Sequence, residues 1–172
     1  MKLISNKERK DYFANFKKEA LHLEMWDTYG TEAEKPHLQK WKEQGKDNSE
    51  WLKPWFDNVR AATASGKVFR RARIVSEPVT DYIRWVLMDA HLFVDAGEEI
   101  RWLPRRLASA IALPGNDFWL FDDETVIFSV FGGDGRVTER QLTTDPSVVG
   151  LCKSAFTAVW ELAIPNHEYQ PD

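Results

Sequence analysis

Hydrophobic positions recur with two different periods along this chain, and the period changes near residue 67. In residues 6–25 the apolar side chains return every three or four positions, with lysines and glutamates between them. The apolar positions are Tyr12, Phe13, Phe16, Ala20 and Leu23. This spacing predicts one amphipathic helix over residues 6–25.

A second helix is predicted after the turn residues Asp47, Asn48 and Ser49, with Pro54 near its first turn and Gly66 as its left-handed cap. Its apolar face is formed by Trp51, Trp55, Val59 and Ala62. Residues 30–49, between the two predicted helices, are rich in Lys, Glu, Gln, Gly and Asn. We expect a surface loop there, anchored only by Leu38 and Trp41.

From residue 67 the pattern changes to that of strands. Residues 68–75 predict a strand, residues 81–96 a helix closed by Gly97, and residues 99–103 a strand ended by Pro104. Because a helix separates the two strands, they are expected to be parallel neighbours. An antiparallel meander over residues 118–121, 126–131 and 137–142 follows, with turns at 122–124 and 132–135.

The last predicted helix begins at Asp145-Pro146, whose side-chain cap and fixed φ suit a first turn. Residues 165–172 are expected to be loosely ordered or to lie along the surface. The prediction is therefore an α/β (α+β) single domain over residues 1–172. Its helical part covers residues 1–66, its strand-helix-strand-strand-strand-helix part with a mixed sheet covers 67–164, and its tail covers 165–172.

Composition narrows the class of protein. The chain has 172 residues, enough for one full core without crosslinks. One cysteine, Cys152, excludes an internal disulfide, and its apolar neighbours predict a buried thiol in a reducing compartment. Neither a signal sequence nor an apolar stretch of about 20 residues is present, so we expect a cytoplasmic protein with no membrane contact.

The net charge of −4 conceals a gradient along the chain. Residues 60–106 carry 9 basic and 6 acidic side chains, whereas residues 107–172 carry 3 and 10. The basic middle is compatible with local nucleic-acid binding. The alternative is that its arginines pair with the acidic last third inside one fold, and we favour that alternative.

Two blocks combine acids, arginines and tryptophan: S-E-P-V-T-D-Y-I-R-W at 76–85 and G-E-E-I-R-W-L-P-R-R at 97–106. Both lie next to the carboxyl ends of the predicted parallel strands, where open α/β sheets form their ligand crevices. A guanidinium beside an indole suits a carboxylate or a phosphate. The candidate ligand- or partner-binding residues are Arg73, Glu77, Asp81, Tyr82, Arg84, Trp85, Arg101, Trp102, Arg105, Asp117 and Trp119.

A structural alternative exists for the same residues. In it, Arg84 and Arg101 form an internal ion-pair network with Glu77, Asp81 and Asp117, and tryptophans pack around it. We favour this network slightly over a ligand site. Substituting Arg101 by alanine separates the two, since loss of binding with a cooperative fold indicates a site and loss of folding indicates a network.

The two blocks, together with D-F-W-L-F-D at 117–122 and V-W-E-L-A-I-P-N-H-E-Y at 159–169, resemble an uncharacterised actinobacterial domain family of unknown function. The resemblance covers nearly the whole chain. Members of that family are often encoded near helix-turn-helix regulators, so the resemblance implies a regulatory association and no established activity. The order of elements is also similar to half of a phospholipase-D-like fold, which is an analogy of topology alone.

No catalytic or cofactor motif accompanies these features. Phospholipase-D-like chemistry needs a histidine with a lysine two residues later, and His22, His37, His91 and His167 all lack it. The scattered histidines and single cysteine give no zinc cluster, and the glycines at 132–135 lack the Lys-Ser or Lys-Thr of a phosphate loop. We therefore expect no metal, no cofactor and no enzymatic activity.

Two functions remain open from the sequence. The first is a non-catalytic regulatory or adaptor domain that binds a protein partner, such as a helix-turn-helix transcription regulator, or a small acidic ligand. The second is a degenerate phospholipase-D-like phosphodiesterase or a nucleic-acid-binding domain. Salt dependence of nucleic-acid binding distinguishes them.

Overall fold

The computed structural model describes residues 1–46 and 49–171, and within them one mixed sheet of eight strands is flanked by five α-helices. The strands are β1 Lys2–Leu3, β2 Glu19–Glu24, β3 Val68–Val75, β4 Glu98–Pro104, β5 Asp117–Phe121, β6 Thr125–Phe131, β7 Val137–Thr143 and β8 Ile164–Pro165. The helices are α1 Asn6–Asn15, α2 Lys35–Gln44, α3 Lys53–Ala64, α4 Asp81–Ala96 and α5 Pro146–Leu162. Short 3-10 turns occupy Ser49–Leu52 and Arg105–Leu107.

The strand order across the sheet is β1-β7-β6-β5-β2-β3-β4-β8. Strands β2, β3 and β4 are mutually parallel, and the remaining neighbours are antiparallel. The α/β (α+β) fold with a mixed sheet is confirmed, as is the predicted order from β3 to α5. Gly97 closes α4 at φ 113°, and Asp145 caps α5 by accepting the Ser147 N–H at 2.8 Å.

The prediction of one helix over residues 6–25 is wrong in its second half. Helix α1 ends at Asn15, and Glu19–Glu24 forms β2 in the middle of the sheet, between β5 and β3. Ala20 and Leu23 fit a helical spacing, but they lie on opposite faces of a strand that is covered on both sides. The alternation L-H-L-E covers only four residues, so the helical spacing that begins in α1 could be extended across it.

Two further predictions need correction. A loop was predicted for residues 30–49, but this segment contains helix α2. Leu38 and Trp41 of α2 pack against the hydrophobic cluster around α4. Asp47 and Asn48 lie outside the described residues. The tail is held more firmly than expected, because β8 pairs with β4. Tyr169 is also buried there and stacks on Trp102 at 5.6 Å.

The two faces of the sheet differ in chemistry. One face is apolar and packs on α5, through residues such as Leu21, Ile74, Leu103, Phe118 and Phe128. Cys152 of α5 lies in this layer with no exposed surface, as predicted, and burial raises the pKa of its thiol to about 12. The opposite face, covered by α1, α3 and α4, carries a set of polar side chains inside its apolar surroundings.

Candidate functional site: an arginine–tryptophan cleft

Two rows of side chains cross the polar face of the sheet. Residues paired across neighbouring strands point to the same face. The first row is Leu142, Ile127, Trp119, His22, Arg71 and Ile100. In the second row, Arg140 pairs with Ser129, Ser129 with Asp117, and Glu24 with Arg73. Six charged or ionisable groups from the four strands β2, β3, β5 and β7 therefore share one face of the sheet.

Glu24 and Glu98 neutralise two arginines of β3. Arg71 donates to Glu98 at 3.0 and 3.3 Å and to Glu24 Oε2 at 3.1 Å, and Arg73 Nη2 lies 2.9 Å from the same Glu24 oxygen. Burial acts to lower the pKa of Arg71, but Glu98 and Glu24 outweigh it and raise that pKa above its ordinary value. Both arginines are buried, at 8% and 6% exposure, so these two cations form an internal network and no basic surface.

A cavity of about 410 Å³, here called the cleft, lies above these rows. Its floor includes His22, Glu24, Arg71, Arg73, Asp117, Trp119, Ser129 and Arg140. Its walls include Arg9 of α1, Trp51 and Trp55 at and after the 3-10 turn, Tyr82 and Trp85 of α4, and Tyr29 and Glu34 from the segment after β2. The volume lies within the range of small-molecule sites, whose lining is mostly apolar with a few converging polar groups.

Arg9 and Arg140 form a cationic part of this lining. Among the described residues neither has a carboxylate partner, and the Nε of each is buried without a hydrogen-bond acceptor. Burial and the charges of Arg140 and Arg71 lower the pKa of Arg9 to about 10, and burial lowers the pKa of Arg140. Arg9 lies over the Phe13 ring, 4.8 Å from its centroid. The arrangement places two uncompensated cations beside a cavity.

Two acids of the cleft are held by tyrosines. The Tyr29 hydroxyl donates a short hydrogen bond to Asp117, whose other oxygen accepts the Met25 N–H at 2.9 Å. Burial, with the nearby charge of Glu24, raises the pKa of Asp117 to about 7 in spite of these bonds. Tyr82 donates to Glu34 at 2.8 Å, and burial raises the pKa of Glu34. Asp117 is therefore only partly ionised near pH 7.

His22 is a neutral member of the floor. Its ring stacks on Trp119 with centroids 4.0 Å apart and planes 16° apart. Burial and the charges of Arg71, Arg73 and Arg9 hold its pKa well below the ordinary value. The 4.0 Å approach of Nδ1 to Glu24 is thus not an ion pair, and Nδ1 has no hydrogen-bond partner in the described chain.

The tryptophans of the cleft walls also carry unused donors. The indole Nε1 atoms of Trp51, Trp55 and Trp85 are buried and have no acceptor among the described residues. Trp51 lies nearly parallel to Trp85, and Trp55 meets Trp119 edge to face at 5.8 Å. A buried indole N–H normally finds a partner. Three unpartnered indoles around one cavity therefore distinguish this wall from ordinary core packing.

The structure brings five of the eleven predicted site residues together in the cleft: Arg73, Tyr82, Trp85, Asp117 and Trp119. Trp102 lies beside it, with Arg73 over its ring at 5.7 Å and its Nε1 donating to Asn166 at 2.8 Å.

The other five lie elsewhere. Arg101 is on the α5 face, with its guanidinium 3.0 Å from the Trp160 carbonyl. Glu77 bonds to Arg106 and Tyr169, and Arg105 binds Ser76, Asp27 and two carbonyls. Asp81 and Arg84 form an exposed pair at 3.0 Å.

A buried ion-pair network is present, but it is not the predicted one. Of the pairs expected among Arg84, Arg101, Glu77, Asp81 and Asp117, the described structure contains only the exposed Arg84–Asp81 contact. The buried network joins Arg71 and Arg73 to Glu24 and Glu98, which precede residue 107. Within residues 1–46 and 49–171, no salt bridge joins these arginines to the acidic last third.

Several residues of the cleft were missed from the sequence. His22 and Glu24 were assigned to a helix, although the alternation A-L-H-L-E places them on one face of a strand. Arg71 was also missed, although it lies two residues before Arg73 and therefore on the same face of β3. Arg9 and Arg140 carry no local signal, because they meet only through the sheet and α1.

Features outside the cleft have structural roles or simpler surroundings. Asp122, in the acidic turn after β5, accepts the N–H groups of Lys17, Lys18 and Glu19 at 2.7–3.1 Å and so fixes the corner before β2. A groove of about 590 Å³ between α1 and the β5–β6 end is lined by charged residues such as Lys2 and Glu8 and by apolar ones such as Ile4, Phe16 and Leu142. Within residues 1–46 and 49–171, histidine, cysteine and carboxylate side chains form no group of three that could hold a metal ion.

None of the described helices combines the length and apolar character needed to cross a membrane.

Comparison with known proteins places the chain in a family. A search of curated proteins finds no match. The model of a family described as a domain of unknown function, DUF6879, matches residues 7–171. Since this match spans nearly the whole sequence, the chain belongs to the DUF6879 family.

Proposed function

We propose that the domain binds a small organic anion in the cleft. The observation that carries this proposal is the pair Arg9 and Arg140, two cations in the lining without a carboxylate partner among the described residues. A partly buried charge without a counter-charge is costly, and ionisable groups perturbed in this way cluster at functional sites. An anion between them removes that cost.

The charge balance of the cleft supports the same conclusion. Four arginines line it: Arg9, Arg71, Arg73 and Arg140. Glu24 is already shared by Arg71 and Arg73, and Asp117 has a pKa of about 7. The lining also holds Glu34 and Asp89, and Glu98 pairs with Arg71, so acids and arginines are similar in number. The uncompensated positive charge is therefore local to Arg9 and Arg140, and the lining becomes more positive as Asp117 takes up a proton.

Arg73 offers a further donor to such a ligand. Its Nη2 is paired with Glu24, whereas its Nη1 is buried with no hydrogen-bond partner in the described residues. A guanidinium with one free nitrogen beside a cavity suits a carboxylate or phosphate oxygen. Binding a small acidic ligand is the branch of the sequence-based hypothesis that these contacts favour. A regulatory role, with a helix-turn-helix regulator as partner, stays a prediction.

Isothermal titration calorimetry tests the proposal. Phosphate, ribose 5-phosphate, adenosine 5′-monophosphate and nicotinate are titrated into the wild-type chain and into the Arg9→Met/Arg140→Met double variant. We expect at least one of these anions to bind the wild type and to lose about tenfold or more in affinity in the variant, since a charged hydrogen bond contributes about 1.5–3 kcal/mol.

Arg60→Met is the matched control, because Arg60 is exposed on α3 and pairs with Asp57 away from the cleft. This variant should bind as the wild type does. Absence of binding by all four anions overturns the proposal, and so does binding that the double variant retains in full.

A further inference from the structure

We propose that the cleft takes a planar heteroaromatic ring that carries the anionic group, such as a nucleoside monophosphate or a heteroaromatic carboxylate. The inference rests on the proposed anion-binding function and assigns the chemistry of the rest of the ligand. It is based on the tryptophans of the cleft walls, whose unpartnered indole N–H groups are not explained by an anion alone.

The ring follows from the shape and composition of the walls. Trp55 approaches the floor residue Trp119 at 5.8 Å, and Trp85 lies parallel to Trp51 on the α4 side. The stacked rings of His22 and Trp119 add two further aromatic groups to the floor. Aromatic faces and edges interact with a planar ring at centroid distances of about 4.5–7 Å, and large apolar walls also favour its transfer from water.

The heteroatoms follow from the unused donors. Trp85 is 4% exposed, and its Nε1 finds no acceptor in the described chain; the same holds for the Nε1 atoms of Trp51 and Trp55. A hydrocarbon ring leaves these donors unsatisfied, whereas ring nitrogens or carbonyl oxygens accept from them. An aliphatic acid of the same charge reaches the arginines and contributes nothing to the indoles.

The position of the charges is compatible with one ligand bridging both regions. Arg9 lies 4.8 Å from the centroid of the Phe13 ring, which meets Trp55 and Trp119 edge to face at 5.3 and 4.8 Å. The cationic and aromatic groups are therefore in contact within the same cavity of about 410 Å³. A ring bearing its anion directly or through a sugar fits this juxtaposition, and a cavity of this size admits such molecules.

The test divides the ligand into its parts. Adenosine 5′-monophosphate and nicotinate carry a ring and an anion, adenosine carries the ring alone, and ribose 5-phosphate carries the anion alone. In calorimetric titrations we expect at least one of the ring-bearing anions to bind about tenfold or more tighter than ribose 5-phosphate and adenosine. Tighter binding of adenosine 5′-monophosphate than of nicotinate assigns phosphate as the anion, and the reverse order assigns carboxylate.

Trp85→Phe keeps an aromatic ring and removes the N–H. This variant should lose severalfold in affinity for the ring-bearing anion and keep its affinity for ribose 5-phosphate. Trp160→Phe, on the α5 face beside Arg101, is the matched control and should bind as the wild type does. Unfolding midpoints of both variants establish that they are folded at the temperature of titration.

The outcomes separate the two proposals. If ribose 5-phosphate binds as tightly as the ring-bearing anions, the assignment of a ring is wrong and anion binding stands. If Trp85→Phe weakens all anions equally, the indole N–H has no role in selecting the ring and this inference fails. Absence of binding by every anion removes both.

Discussion

Arg73 of β3 lies 2.9 Å from Oε2 of Glu24 on the neighbouring strand β2, and that same oxygen accepts a hydrogen bond from Arg71 at 3.1 Å. One carboxylate oxygen thus holds two buried guanidinium groups in place. The orientation of both arginines in the floor of the cleft depends on this residue.

Glu24→Gln should therefore destabilise the protein strongly. The change leaves Arg73 without a carboxylate partner and Arg71 with Glu98 alone, and breaking a buried pair costs about 3–5 kcal/mol. Urea unfolding monitored by tryptophan fluorescence measures the loss. Glu161→Gln, at an exposed position of α5, is the control and should stay within about 0.5 kcal/mol of the wild type. A loss below about 1 kcal/mol for Glu24→Gln contradicts the network.

Asp117→Asn should change how stability depends on pH. The pKa of Asp117 is raised from 3.8 to about 7 by folding, so between these values the folded state holds a proton that the unfolded chain has released. Stability contributed by this group is present below about pH 4 and is lost as pH rises to about 7. Relative to wild type, the variant should gain up to about 4 kcal/mol over this window, at about 1.4 kcal/mol per pH unit.

Unfolding free energies of both proteins at pH 4, 5.5, 7 and 8 provide the measurement. Taking the difference from wild type removes the opposite slope that buried, neutral His22 contributes. Asp95→Asn, at an exposed position of α4, should give a flat difference. A flat difference for Asp117→Asn means that the carboxyl titrates normally.

Arg9→Met should raise the stability of the free protein. Burial and two neighbouring arginines lower the pKa of Arg9 to about 10, which means that the folded state disfavours its charge. Methionine keeps much of the apolar stem near Phe13 and removes that charge, with an expected gain of a few tenths to about 1 kcal/mol. Differential scanning calorimetry without added anion measures it; Arg60→Met should show no gain, and a clear loss in Arg9→Met shows a structural role.

Gly97→Ala and Gly150→Ala should act in opposite directions. Gly97 has φ 113°, and a Cβ there lies 2.8 Å from Thr63 Oγ1, so the change strains the end of α4 and should cost more than 1 kcal/mol. Gly150 lies inside α5 with open space around it, where alanine should stabilise by about 0.5–1 kcal/mol. Chemical unfolding of the pair checks both signs, and equal signs contradict the assignment.

Arg101→Ala should leave ligand binding in the cleft unchanged. The sequence places Arg101 among the candidate binding residues, but its guanidinium lies over the Trp160 ring at 4.5 Å on the α5 face. We expect a loss of about 1 kcal/mol in stability from this contact and the bond to the Trp160 carbonyl. Titration of the tightest-binding anion checks the prediction, and a tenfold loss of affinity would reveal a coupling across the sheet.

The elements from β3 onward could be predicted because each has its own local signal. Val68–Val75 is rich in β-branched and aromatic residues, and Asp81–Ala96 has a helical apolar stripe closed by Gly97. β2 could not be predicted in the same way, because its neighbours β3 and β5, which pair with its two edges, come from distant parts of the chain.

The same reason explains the partial prediction of the cleft. Arg73, Trp85 and Asp117 were predicted because each lies in or near a sequence block that combines charged residues with tryptophan. To predict that Arg71 and not Arg101 lies in the cleft, one must know which face of the sheet each side chain occupies. That follows only from the register of β3 with β2 and β4. Predicting that Arg9 lies in the cleft requires knowing how α1 packs on the sheet, and the spacing of residues along the sequence does not reveal this.

The central position of β2 constrains how the chain folds as it leaves the ribosome. Leu21 pairs with Arg70 on one side and with Leu120 on the other, so this early strand has no complete set of backbone partners until β5 has been synthesised. Contacts this far apart in sequence slow folding because the intervening chain must be closed first. The nascent chain therefore exposes at least one edge of an apolar strand until β5 is available, and this interval is when chaperones have most reason to bind it.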